Sequence, residues 1–241
     1  MKIKDTKTAE MLVYPFLLLA LLWSIYLGDT QLNWELYRFG VHPRYLDGLI
    51  GIVAMPLIHS SSDFHHILNN SLPIALLLGS LIYFYRSIAF KVFAFIWLGT
   101  GLLVWIAAGS GYHIGISGVI YGLFSFLFVS GALRKYKPLM GVSLIVIFLY
   151  GSLIWGILPL QKQVSWEGHL FGLGLGIFLA FRYRNEGPQV PKYRYEIEEE
   201  QGIEPPDLEE QWRKLNEPHE ESSTATTINY HFIERKPDSE N

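Results

Sequence analysis

No cysteine occurs in the 241 residues, which excludes disulfides, thiolate metal sites and a cysteine nucleophile. Charge is scarce as well: Asp, Glu, Lys and Arg make up 17% of the chain, against roughly 25% in an ordinary soluble domain. Carboxylates are rarest in the larger part, with 7 in residues 1–184 and 15 in residues 185–241. The long apolar stretches hold no internal carboxylate, and no H-E-x-x-H string occurs, so a metalloprotease-like or transporter-like histidine metal site is disfavoured and no metal is expected. Nor is there a basic patch of the kind that follows a phosphate backbone, so no nucleic-acid partner is expected.

Half of the residues are hydrophobic and 15% are aromatic. Residues 1–184 carry 13 Lys/Arg and residues 185–241 carry 6, so a basic, apolar body precedes an acidic tail. Uncharged runs recur over Met11–Gly28, Ile67–Tyr85, Val92–Gly111, Ile114–Leu133 and Pro138–Leu160. Each approaches the ~20 residues that cross a ~30 Å hydrocarbon core. A sixth run, Gly168–Phe181, is shorter and rich in glycine, and by hydropathy alone could equally be a buried helix. Gly48–Ile58 is too short to span and contains Pro56, so it is expected to lie in a first loop at or near the interface. The basic start followed by Met11–Gly28 resembles a signal peptide, but no small-residue cleavage site follows, so a retained first span is expected.

Charge placement selects six spans. With a cytoplasmic N-terminus, the inner segments hold Lys2, Lys4, Lys7, Arg86, Lys91, Arg134, Lys135, Lys137, Arg182 and Arg184, and the outer loops hold only Arg38, Arg44 and Lys162. Ten against three is the bias of the positive-inside rule. The expectation is an all-α membrane protein, residues 1–184, followed by a tail, residues 185–241, too polar to build a core. The tail is expected to be disordered, apart from a short helix around Leu208–Leu215.

Polar groups at the ends of spans are costly and therefore informative. Gly115-Ile116-Ser117-Gly118 opens the fourth run; glycines beside a serine allow a backbone or a helix to come close, though the same string suits a plain helix contact. It is not the G-x-S-x-G elbow of α/β-hydrolases, because Val119 replaces the last glycine. His169 heads the sixth run, where Gly168, Gly172 and Gly176 form a groove on one helix face, and Gly118 and Gly122 repeat that spacing on the fourth. Packing of the two faces could bring Ser117 within the about 2.6–3.2 Å that a base requires. The alternative for His169 is an interfacial histidine bonded to a loop carbonyl. At the start of the second run, Asp63-Phe64-His65-His66-Ile67-Leu68-Asn69-Asn70 offers histidine and asparagine four residues apart, donors suited to an oxyanion. Two registers fit, His65/Asn69 and His66/Asn70, and spacing does not choose between them. A polar, Asp63-capped helix start is the other reading.

Taken together, His-x-x-x-Asn, Gly-x-Ser-Gly and His-x-x-Gly-x-x-x-Gly in the second, fourth and sixth runs resemble the rhomboid family over about residues 10–184. The resemblance implies a six-transmembrane-helix rhomboid-like bundle and an intramembrane serine endopeptidase with a Ser–His dyad, Ser117 and His169, and no cofactor. It also implies an oxyanion site of His66, Asn70 and the Ser117 backbone amide, the register following from Asn70-Ser71-Leu72-Pro73. Tyr121 takes the place of an aromatic that packs on the catalytic histidine, and Gly115 and Gly118 beside the serine are supporting residues. His59 resembles a further histidine of structural role; His113 either lines the site or faces water, and water is expected. Two departures concern the first loop, where Tyr37-Arg38 stands for Trp-Arg, and the longer segment Ser60–His65. Implied partners are transmembrane protein substrates and the lipid bilayer, and a bacterial inner membrane with both termini cytoplasmic is the simplest location. A rhomboid-like protein that binds membrane clients without catalysis is the alternative.

Overall fold

The structure, a computed structural model, describes residues 2–149, 156–159, 165–189, 193–203, 207–216 and 231. Lys162, the far end of the fifth apolar run and most of the acidic tail lie outside the described residues. The chain divides into two compact units, Met1–Val190 and Pro191–Asn241.

The first unit is helical, and no strand occurs among the described residues. Its long helices are α1 (Lys2–Leu32), α2 (Phe64–Phe84), α3 (Ala89–Ala107), α4 (Ser117–Leu133), α5 (Lys137–Leu149) and α6 (Trp166–Arg182). They follow the six apolar runs, with boundaries set by local chemistry. α1 begins well before Met11, since Lys, Thr, Ala and Glu do not interrupt a helix. Asp63 caps α2 by accepting the His65 backbone N–H at 3.0 Å. The helical part of the fifth run is shorter than its hydropathy: Gly156–Pro159 form a turn, so an unbroken helix to Leu160 is not formed. Gly48–Ile58 is, as expected, too short to span; it folds into successive helical turns, Leu46–Ile50, Gly51–Ala54 and Met55–Leu57.

By length and composition, Thr8–Leu32, Phe64–Phe84 and Ala89–Ala107 suffice to cross a membrane. Large apolar side chains such as Leu12, Phe16, Leu17 and Leu21 on α1 and Phe90, Phe95 and Leu102 on α3 point outward. In water such a belt would be a liability; in a bilayer it is the solvent-facing surface. The interior is built around α4. Val119, Ile120, Leu123, Phe126 and Leu127 are fully buried there, against Ile67, Ile74, Leu77 and Leu81 of α2 and Val92 and Ile96 of α3.

Among the described residues, α4 and α6 make the most extensive helix–helix contact. Its basis is the pair of glycine faces: a Cβ on Gly172 would collide with the Gly118 carbonyl oxygen, and one on Gly176 with that of Gly122. From the other side, a Cβ on Gly118 would lie 2.9 Å from the Gly168 oxygen, and one on Gly122 would lie 3.1 Å from that of Gly172. The helices therefore touch backbone to backbone, and the Ser125 hydroxyl adds a 2.8 Å bond to the Leu173 carbonyl. The first loop is bound along α3 from its middle to its C-terminal end: Arg44 donates to the Ala108 carbonyl at 2.7 Å, and the Trp105 and Trp97 indoles each donate at 2.9 Å, to the Tyr45 and Val53 carbonyls respectively.

In the second unit, Arg194–Glu200 (α7) and Leu208–Asn216 (α8) are helical. The latter matches the expected short helix; the former had no apolar periodicity to announce it.

Candidate active site

Gly115 turns the chain into α4 with φ +107°, a conformation that favours glycine. Ser117 follows as the first residue of the helix, half-buried. The first N–H groups of a helix lack intrahelical acceptors, so the Ser117 amide and its neighbours are available to a ligand. His169 sits in the first turn of α6, buried, and the glycine contact below it sets its height relative to Ser117.

The two side chains meet. His169 Nε2 lies 2.7 Å from Ser117 Oγ, and His169 Nδ1 lies 2.7 Å from the Gly156 carbonyl oxygen. A carbonyl only accepts, so Nδ1 of the neutral ring carries the proton and Nε2 presents its lone pair to the serine hydroxyl. The carbonyl thus fixes the tautomer that a general base needs, a task given to a carboxylate in a triad. A side chain at 156 would collide with the Tyr121 hydroxyl and sit 3.0 Å from His169 Nδ1, so the close approach requires glycine. The Tyr121 ring stacks on the imidazole, with centroids 4.3 Å apart and planes 18° from parallel, holding it from the face.

On α2, Asn70 is buried and His66 half-buried, whereas His65 and Asn69 are exposed. His66 Nε2 lies 2.7 Å from where a Gly115 Cβ would be, and Ser117 Oγ lies 3.8 Å from that same point. His66 and the serine therefore flank the glycine turn. Asn70 Nδ2 lies 3.2 Å from His59 Nε2; the amide can only donate, so His59 accepts. Burial, with the neighbouring His66, pushes His59 down to about 3, which keeps it neutral and able to accept. The His59 and His66 rings are 5.0 Å apart, edge to face.

His113 does not face water. It is buried; Nδ1 is 2.6 Å from Ser165 Oγ and Nε2 is 3.2 Å from the Gly109 carbonyl oxygen. Two residues have no readable signal in the sequence: Gly156 acts through its carbonyl, and Ser165 lies in no motif. His59 is readable there, but its contact with Asn70 is not, because it depends on the loop that returns His59 to α2. Among the described residues, no group of three or more His, Asp or Glu is placed to hold a metal ion.

Residues 47–186 match the Rhomboid domain family, a segment that contains every side chain just described. An uncharacterized protein of Mycobacterium tuberculosis is 34% identical over 172 residues, covering 67% of this chain and 70% of the relative. One from Mycobacterium leprae is 32% identical over 174 residues, covering 68% and 67%. With its family match, its all-helical architecture and its outward apolar belt, the chain belongs to the rhomboid family of helical membrane proteins.

Proposed function

We propose that the protein is an intramembrane serine endopeptidase that cleaves membrane-protein substrates in or beside a transmembrane segment. The observation that carries this reading is the 2.7 Å contact between Ser117 Oγ and a histidine nitrogen whose lone pair is aimed at it by the Gly156 carbonyl. In the reaction, His169 Nε2 takes the hydroxyl proton as Ser117 Oγ attacks the scissile carbonyl carbon. Negative charge moves to the carbonyl oxygen, and on this reading the Ser117 amide, Asn70 and His66 donate to it. His169 then passes the proton to the leaving amine, the peptide C–N bond breaks, and an ester to Ser117 remains. Water, deprotonated by the same histidine, hydrolyses the ester.

Six crossings with both termini cytoplasmic place the dyad at the outer ends of α4 and α6, within reach of water from outside. The catalytic unit on this reading is residues 1–184, and a bacterial inner membrane fits the mycobacterial relatives. Cleavage of a transmembrane test substrate in reconstituted vesicles decides between a protease and a silent client-binding relative. Wild type should cut, and Ser117→Ala and His169→Ala should not. Binding of the substrate without cleavage by any of the three would favour the silent reading.

A further inference from the structure

Two serine–histidine hydrogen bonds join the same pair of segments. Ser117 and His169 form one; four residues earlier on each segment, His113 and Ser165 form the other, with the residue types exchanged. The upper bond is as well defined as the lower. His113 Nε2 faces the Gly109 carbonyl at 3.2 Å and must donate, so Nδ1 accepts the Ser165 hydroxyl proton at 2.6 Å.

Both partners of the upper bond hold a member of the dyad in place. Ser165 immediately precedes α6, and its carbonyl accepts the His169 backbone N–H at 3.3 Å, so the first turn bearing His169 starts from it. His113 is fixed by its backbone, which exchanges bonds with Val41 at 2.9 and 2.8 Å and so ties the approach to α4 to the first loop. Glu167 accepts the Gly109 N–H at 3.2 Å and closes the ring of contacts around the same corner. Towards the membrane interior, the α4–α6 separation is set by glycines against backbone carbonyls. Towards the outer surface, it is set by His113 and Ser165. The dyad lies between these two constraints.

We infer that His113 and Ser165 are positioning residues: their bond fixes the distance between the starts of α4 and α6, and hence keeps Ser117 Oγ within reach of His169 Nε2. This rests on the protease reading above. Neither residue touches the reacting atoms.

The test measures the rate and the final extent of fluorophosphonate labelling in the full chain, with kcat and KM on a transmembrane substrate. Ser165→Ala removes one hydroxyl and should slow labelling and kcat together by roughly 5- to 30-fold, the span of one lost buried hydrogen bond. KM and the final labelled fraction should be unchanged. His113→Ala should act in the same direction, and the double variant should be no slower than the more affected single one, because both remove the same bond. Labelling of Ser165→Ala at the wild-type rate would overturn the inference, as would a lower final fraction at an unchanged rate, which marks loss of folded protein. Additive losses in the double variant would also overturn it. Should wild type itself fail to label at Ser117, the nucleophile assignment falls first and takes this inference with it.

Discussion

Gly172→Ala tests whether the glycine contact positions the dyad. Gly172 lies three residues after His169, about 4.5 Å further along α6, so a displacement there is transmitted to the histidine with little attenuation. The new Cβ would collide with the Gly118 carbonyl oxygen, and neither atom can turn aside, because one is backbone and the other is attached to it. Relief requires α4 and α6 to separate by about 1 Å, a misplacement that can cost on the order of 100-fold in rate. The 2.7 Å Ser117–His169 bond would open by a comparable amount. Overpacking should also lower stability by about 1–3 kcal/mol. Gly174→Ala is the control: it lies on the same helix, and its Cβ would meet nothing within 4 Å. There the change should be neutral, or stabilising by about 0.5–1 kcal/mol from helix propensity. Rates of test-substrate cleavage, together with melting in detergent, measure both. Gly172→Ala within about twofold of wild type, or Gly174→Ala equally damaged, would refute the reasoning.

Asn70→Ala should lower kcat roughly 10- to 1000-fold with a smaller effect on fluorophosphonate labelling, while Asn69→Ala, on the exposed face, should be mild; the reverse pattern would mean that the other register forms the oxyanion site. His59, held neutral by burial, favours the fold fully above its ordinary value of 6.5, and that contribution is lost as pH falls towards about 3. Unfolding measured from pH 8 to 4 should therefore show a slope, up to about 1.4 kcal/mol per pH unit, that His59→Asn reduces; equal slopes would contradict it. A reporter fused after Arg184 should be cytoplasmic and one inserted at Lys162 external, and finding both on one side would remove the six-crossing arrangement.

Where the sequence was most readable, residue spacing maps directly onto contact. Glycines at every fourth position of two apolar runs predict helices that touch along those faces, and Gly118, Gly122, Gly172 and Gly176 do. Ser117 and His169 are brought together by that contact. The choice between His66/Asn70 and His65/Asn69 was not available from spacing, since both pairs lie one turn apart. The resemblance alone makes that choice; in the structure Asn70 is buried and Asn69 exposed. Hydropathy overextends the fifth helix because it remains high through Gly156–Pro159, where the chain turns. That turn presents a backbone carbonyl to His169, a contact without a side-chain signature. The burial of His113 is hidden from the sequence for a related reason. A histidine beside a glycine-rich loop looks solvated, but besides Gly109 of its own loop its partners are Val41 and Ser165, brought to it by two distant segments.

Where a fluorophosphonate attaches tests most directly whether Ser117 is a nucleophile activated by His169. Peptide mass analysis of the labelled wild-type protein should find a single adduct on Ser117, absent in Ser117→Ala and strongly reduced in His169→Ala. An unlabelled Ser117 in correctly inserted wild-type protein, or equal labelling of wild type and Ser117→Ala, would contradict it.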